Sequence, residues 1–230
     1  MLKKGIQFGY DNYIRPILSR RTVFYNEIPV KASHLGDSLI PWHNKDIPGY
    51  EAELIRGIRK RVQKNDSVVI VGGGWGISTV VAANQVGTAG EVITYEGAEK
   101  AVNRVLETVR LNNIQDRISV HHSIVAENIS LQGSAGGAAI VHPSELPDCD
   151  VLVLDCEGAE LTILEEIEIQ PRVLIVETHG MYGASKDDVA ELLEDIEYDI
   201  QECNIAEPRL KQKCIKNGIY VLMSTRKSKA

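Results

Sequence analysis

No two of the four cysteines are spaced as C-x-x-C. Cys149, Cys156, Cys203 and Cys214 therefore lack the spacing of zinc or dithiol sites. With no export signal behind Lys3 and Lys4, they are expected to be reduced and buried. No window approaches the roughly 18 uninterrupted apolar residues of a membrane span, so a cytoplasmic protein with no membrane partner is expected. Positive charge is in deficit. The formal net charge is −7, which argues against broad binding of nucleic acid or anionic lipid. No internal repeat is present. What remains is ordinary: 230 residues, 43% hydrophobic and 25% charged, enough for one α/β domain with a modest extension.

From residue 50 onward, helix-like and strand-like segments alternate. Leu54, Ile55, Ile58 and Val62 recur at helical spacing in 51–63, and Val102, Val105, Leu106 and Val109 do so in 98–112. Helices are also predicted over 76–85, 159–167 and 186–196. Strands are predicted over 68–71, 91–95, 117–121, 150–154 and 172–177, the runs at 68–71 and 150–154 apolar enough to be covered on both faces. Segments 198–204 and 218–224 are predicted to close the sheet as an antiparallel pair. The pattern implies a doubly wound, mainly parallel α/β sheet of seven strands with helices on both faces. Residues 1–49 stand apart as an N-terminal arm and 50–230 as the domain proper. The arm carries aromatic and basic residues (Tyr10, Tyr13, Arg15, Arg20, Arg21, Phe24, Tyr25, Trp42) without a clean period. It reads as a packing arm, a contact between copies, or a lid over the acceptor pocket. The stretch 132–139 is glycine-rich and reads as a loop.

The segment from Ser67 to Ser78 is a buried strand running into Gly72-Gly73-Gly74-Trp75-Gly76 and then a helix. Such a turn lets backbone approach a nucleotide-like ligand closely. Its spacing is G-x-G-x-G, not the G-x-G-x-x-G of dinucleotide binders, which moves the expected ligand from NAD to S-adenosylmethionine. Ligands of open α/β sheets bind at the carboxyl ends of the strands. Here those ends carry Glu96-Gly97, His121-His122-Ser123, Asp155-Cys156-Glu157-Gly158-Ala159-Glu160 and Glu177-Thr178-His179-Gly180. Glu96 falls about twenty residues past the glycine turn, where a carboxylate accepts hydrogen bonds from a ribose diol. Gly72, Gly74, Gly76 and Glu96 are the expected cofactor residues.

Asp155 suits an ammonium group or a reacting hydroxyl, and equally an N-cap. Glu157 and Glu160 fall in the first turn of the next helix, where acids are stabilising. Glu160 reads as structural or substrate-facing. Glu177 and His179 point to the same side of an extended strand end. They offer a base with an orienting carboxylate, or a structural histidine. Asp155, Glu177 and His179 also make a carboxylate–imidazole ligand set, but no linear spacing marks a metal site and none is predicted.

These segments resemble the class I S-adenosylmethionine-dependent methyltransferases, and within them the FkbM-like family. The likeness runs over about residues 50–180 and rests on Val68-Val69-Ile70-Val71-Gly72-Gly73-Gly74-Trp75-Gly76, on Val92-Ile93-Thr94-Tyr95-Glu96-Gly97, on the D-x-E-G-A-E segment Asp155–Glu160, and on the E-x-H end Glu177-Thr178-His179. Tyr50-Glu51 before a helix resembles the family's lead-in. Two departures stand out. Ile70 occupies the place of an acid that would fix the glycine loop, and Gly74 that of Asn or a similar residue.

The resemblance implies S-adenosylmethionine as cofactor and O-methylation of a small molecule, sugar or glycan. Asp155 would serve the cofactor's amino group or the reaction centre, with Ser123 on the adenine edge and His179 as base. One rival is a methyltransferase-like binding module, favoured by Ile70. Another is an NAD-dependent oxidoreductase, disfavoured by the glycine spacing. The acidic balance and the lack of an N-P-P-Y box speak against a nucleic-acid acceptor.

Overall fold

The computed structural model describes residues 8–35, 37, 47, 49–126 and 134–228. Trp42 and the first residues of the 132–139 loop lie outside them. The strands are β1 Arg20–Tyr25, β2 Ile28–His34, β3 Ser67–Val71, β4 Glu91–Glu96, β5 Ile118–Val125, β6 Ala139–Val141, β7 Val151–Leu154, β8 Val173–Glu177, β9 Tyr198–Ile205 and β10 Tyr220–Arg226. The α-helices are α1 Ala52–Arg61, α2 Ile77–Val86, α3 Glu99–Leu111, α4 Glu160–Glu166, α5 Lys186–Asp195 and α6 Lys211–Asn217.

Among the described residues the main sheet has eight strands, in the order β6-β5-β4-β3-β7-β8-β10-β9. Six are parallel, and β10 runs antiparallel to both β8 and β9. The expected seven strands are thus corrected to eight. The extra one, β6, is a three-residue edge strand beyond the glycine-rich loop, pairing with the end of β5. It is too short to carry a period of its own. The strand order turns at β3, with β4 on one side and β7 on the other. The connections leave β3 and β7 toward opposite faces, which opens a crevice beyond their carboxyl ends.

Alternation sorts each central strand between two apolar layers. Val68, Ile70, Val151, Val153, Val173 and Ile175 face α1, α2 and α3. Val69, Val71, Leu152, Leu154, Leu174 and Val176 face α4 and α5. This two-sided burial is why the strands read as unbroken apolar runs. Helix α2 lies deepest, with most of its residues buried.

The N-terminal arm contains a β-hairpin, β1–β2. Val23, Tyr25, Ile28 and Val30 join the α1–α3 layer. Tyr25 stacks on Tyr50 with centroids 5.0 Å apart and meets Trp75 edge-on at 6.1 Å. The hairpin thus abuts the glycine turn. No described helix is long and apolar enough to cross a membrane. The four cysteines are unbridged, with Cys156 and Cys214 buried. Cys203 is exposed and Cys149 only half-buried, which corrects the expectation that all are buried. Cys203 lies on β9, an edge strand with one open face.

Candidate active site

The carboxyl ends of β3, β4, β5, β7 and β8 surround a cavity of about 480 Å³, within the roughly 300–1,000 Å³ of small-molecule sites. Gly72, Gly74, Glu96, Ser123, Asp155, Glu177 and His179 all line it. Gly76 is not among the lining residues. Its missing side chain makes room for the backbone of Val105 in α3, so it lets helix and turn pack together.

The turn is built by close approach. Gly72 has φ +100°, and a Cβ there would fall on the carbonyl oxygen of Asp155. Only glycine allows the ends of β3 and β7 to meet this way. Ile70 is fully buried among apolar side chains, so its side chain points away from the cavity. The loop is fixed instead by Glu96. Its Oε2 accepts from the N–H groups of Gly73 and Gly74, each at 2.9 Å, and its Oε1 from Ala98 N–H at 2.8 Å. A carboxylate has about four acceptor positions, which leaves one for an occupant of the cavity. On the other side of the turn, the Arg104 guanidinium lies 4.6 Å above the Trp75 ring.

At the β7–β8 end, three predicted residues converge. His179 Nε2 lies 3.7 Å from Asp155 Oδ1 and 3.9 Å from Glu177 Oε1. Its Nδ1 pairs with Glu160 Oε1 at 2.7 Å. The carboxylate that orients His179 is therefore Glu160, not Glu177 as the strand-end pattern suggests. Glu160 is wholly buried in the first turn of α4. It also accepts from Cys156 N–H at 3.3 Å and Gly158 N–H at 2.8 Å. A glutamate four positions after Cys156 is placed for this by the helix start, a signal present in D-x-E-G-A-E itself.

Acids crowd this end. Burial raises the Asp155 pKa against the pull of His179, with Glu160 and Glu96 adding to the rise. Burial, Asp155 and Glu51 hold Glu177 well above the usual carboxylate range. Glu157 is pushed up to about 7 by burial and by Asp155. For His179, burial favours the neutral ring, but the Glu160 hydrogen bond and the Asp155 charge outweigh it and raise its pKa. Glu51 also lines the cavity, and burial and Asp155 raise its pKa. Its backbone N–H bonds Glu207 Oε1 at 3.0 Å. In the sequence Glu51 stands only in the lead-in before a helix, and no motif marks Glu207.

No family model and no curated protein matches the sequence. Solved structures do match. One is a ribosomal protein L11 methylase from Lactobacillus delbrueckii subsp. bulgaricus, at 16% identity over 77% of this chain and 79% of that one, with a TM-score of 0.53. A second is an SAM-dependent O-methyltransferase from Thermotoga maritima, at 13% identity over 85% and 71%, with a TM-score of 0.51. A third is a precorrin-6y C5,15-methyltransferase from Geobacter metallireducens, at 13% identity over 77% and 86%, with a TM-score of 0.50. At such identities the likeness is one of fold. The chain has the Rossmann-like fold of the class I methyltransferases.

Proposed function

We propose that the protein is an S-adenosylmethionine-dependent methyltransferase of the FkbM-like kind, methylating a hydroxyl of a small molecule, sugar or glycan. One observation carries the reading. A single cavity at the turn in strand order joins the glycine turn and Glu96 at one end to Asp155, Glu177 and His179 at the other. The residues fit the cofactor. Gly72 brings backbone to the crevice, Glu96 keeps an acceptor position for a ribose hydroxyl, and the acidic far end suits a cationic donor.

When bound, S-adenosylmethionine supplies an already activated methyl group. The chain's own part is then to hold an acceptor hydroxyl in line with it and relieve that hydroxyl of its proton. Asp155, Glu177 and His179 face that end, and Glu160 fixes the His179 ring so that Nε2 points at them. Ser123 lines the cavity beside β4 and serves the adenine edge. Gly76 contributes by seating the turn on α3. The binding-module reading loses its main support, because Glu96 fixes the loop and Ile70 belongs to the core. The solved neighbours methylate a ribosomal protein and a precorrin among other acceptors, so the acceptor class rests on the sequence resemblance and the acidic balance rather than on the fold.

Thermal shift separates the proposal from the nicotinamide reading, since only a ligand of the native state raises the melting temperature. S-Adenosylhomocysteine should raise it in a concentration-dependent way and NAD should leave it unchanged. The reverse pattern would overturn the proposal.

A further inference from the structure

Asp155, Glu177 and His179 turn three electron-pair donors toward one point. Each offers one ligand atom, and these lie within 4.8 Å of one another. Bonds of roughly 2.0–2.2 Å to a small divalent ion put neighbouring donors about 3–3.5 Å apart. The 3.7 and 3.9 Å from Nε2 are close to that spacing, and the set as a whole, within 4.8 Å, would close onto an ion by inward movement of the carboxylates.

Two further observations point to a cation. Glu177 Oε2 is buried without a hydrogen-bond partner, on a side chain only 10% exposed. A buried carboxylate oxygen with no donor is costly, and a metal ion is one of the few groups that satisfies it. His179 is also prepared as a ligand. Its Nδ1 lies 2.7 Å from Glu160 Oε1, and an ionised carboxylate only accepts, so Nε2 is the nitrogen turned to the two carboxylates. A carboxylate on the far nitrogen is the usual outer support of a metal-binding histidine. Among the described residues, no Lys or Arg forms an ion pair with Asp155 or Glu177, and His179 is the partner of both.

We propose that Asp155, Glu177 and His179 Nε2 bind one divalent cation at the acceptor end of the cavity. One imidazole and two carboxylates suit a first-row ion such as Mn²⁺ better than Ca²⁺, which prefers an all-oxygen shell. When bound, the cation would make a hydroxyl at that end of the cavity more acidic. This role in methyl transfer rests on the proposed function, whereas cation binding does not. Glu160 is a positioning residue for the site.

Calorimetric titration of the metal-stripped full-length protein with Mn²⁺ tests it, with S-adenosylhomocysteine titrated in parallel and thermal melts confirming that each variant folds. The wild type should bind one Mn²⁺ per chain. Glu177→Gln and His179→Gln should each weaken it at least ~10-fold, and Glu160→Gln by about 10–100-fold. Glu160→Gln, whose side chain does not line the cavity, should keep its affinity for S-adenosylhomocysteine. Should one variant fail to fold, the anomalous signal of Mn²⁺ in wild-type crystals gives the same answer, a peak between the three donors supporting the site. No Mn²⁺ binding by the wild type, or unchanged binding in the folded variants, overturns the cation site. Mn²⁺ binding without S-adenosylhomocysteine binding overturns the methyltransferase reading and leaves the cation site standing.

Discussion

Glu96, and not residue 70, holds the glycine turn in place. Where the resembling family has an acid, Ile70 sits wholly within the apolar layer under α1 and α2. Glu96 meanwhile accepts two hydrogen bonds from the turn and a third from Ala98 N–H at the start of α3, each a charge-assisted bond. Its place after β4 was legible from the spacing to the glycines. Its hold on Gly73 and Gly74 was not, because sequence spacing carries no information on which backbone N–H groups a turn exposes. A carboxylate at residue 70 would be buried without a partner. Ile70→Asp should therefore destabilise the protein by roughly 3 kcal/mol or more, measured by chemical denaturation. An unchanged midpoint together with tighter S-adenosylhomocysteine binding would show that the position is a loop-fixing site after all.

Elements with continuous apolar runs or helical spacing were legible, because burial on both faces of a parallel sheet leaves no other reading. The β1–β2 hairpin was not. Its two-residue turn is Asn26-Glu27, with φ +48° and +71°. The turn conformation is the one Asn-Gly usually announces, but Glu hides it, and a register shift between Arg21 and Val23 breaks the alternation. Helix α6 is two turns long and mostly exposed, so it shows too little apolar spacing to register. The junction of β3 and α2 is the element-scale feature on which the site depends. Gly72→Ala puts a methyl group on the Asp155 carbonyl at a φ that L residues rarely adopt. It should lower the melting temperature and reduce S-adenosylhomocysteine affinity by at least ~10-fold in a calorimetric titration. Wild-type values for both would mean that β3 and β7 do not meet as described.

Across the whole molecule, the convergence of strand ends was legible from topology, whereas their pairing was not. Asp155, Glu177 and His179 come from two neighbouring strand ends, β7 and β8, and any doubly wound order with those strands adjacent brings them together. The Glu160–His179 bond and the orphaned Glu177 oxygen depend on side-chain directions, which only coordinates give. Far from the site, Glu202 of β9 ties the sheet edge to α1. It pairs with Lys60 at 2.7 Å, Arg56 at 2.7 Å and Arg61 at 3.3 Å. Hydrogen bonds from Lys60 and Arg56 pull its pKa down to about 2. A depressed carboxylate pKa adds stability that is full above the unfolded value of about 4.3 and lost as pH falls through the folded value. Urea denaturation should show this contribution fading from about pH 4.3 to pH 2. In Glu202→Gln the fade should be absent and stability at pH 7 lower by at most about 1 kcal/mol, since the pairs are partly exposed. An unaltered pH profile in the variant would remove Glu202 from the account.

A structure with S-adenosylhomocysteine bound tests the central claim most directly. The ribose is predicted to lie against Glu96 and the sulfur to face Asp155 and His179. A ligand bound elsewhere on the molecule, or turned with its sulfur away from those residues, would contradict it.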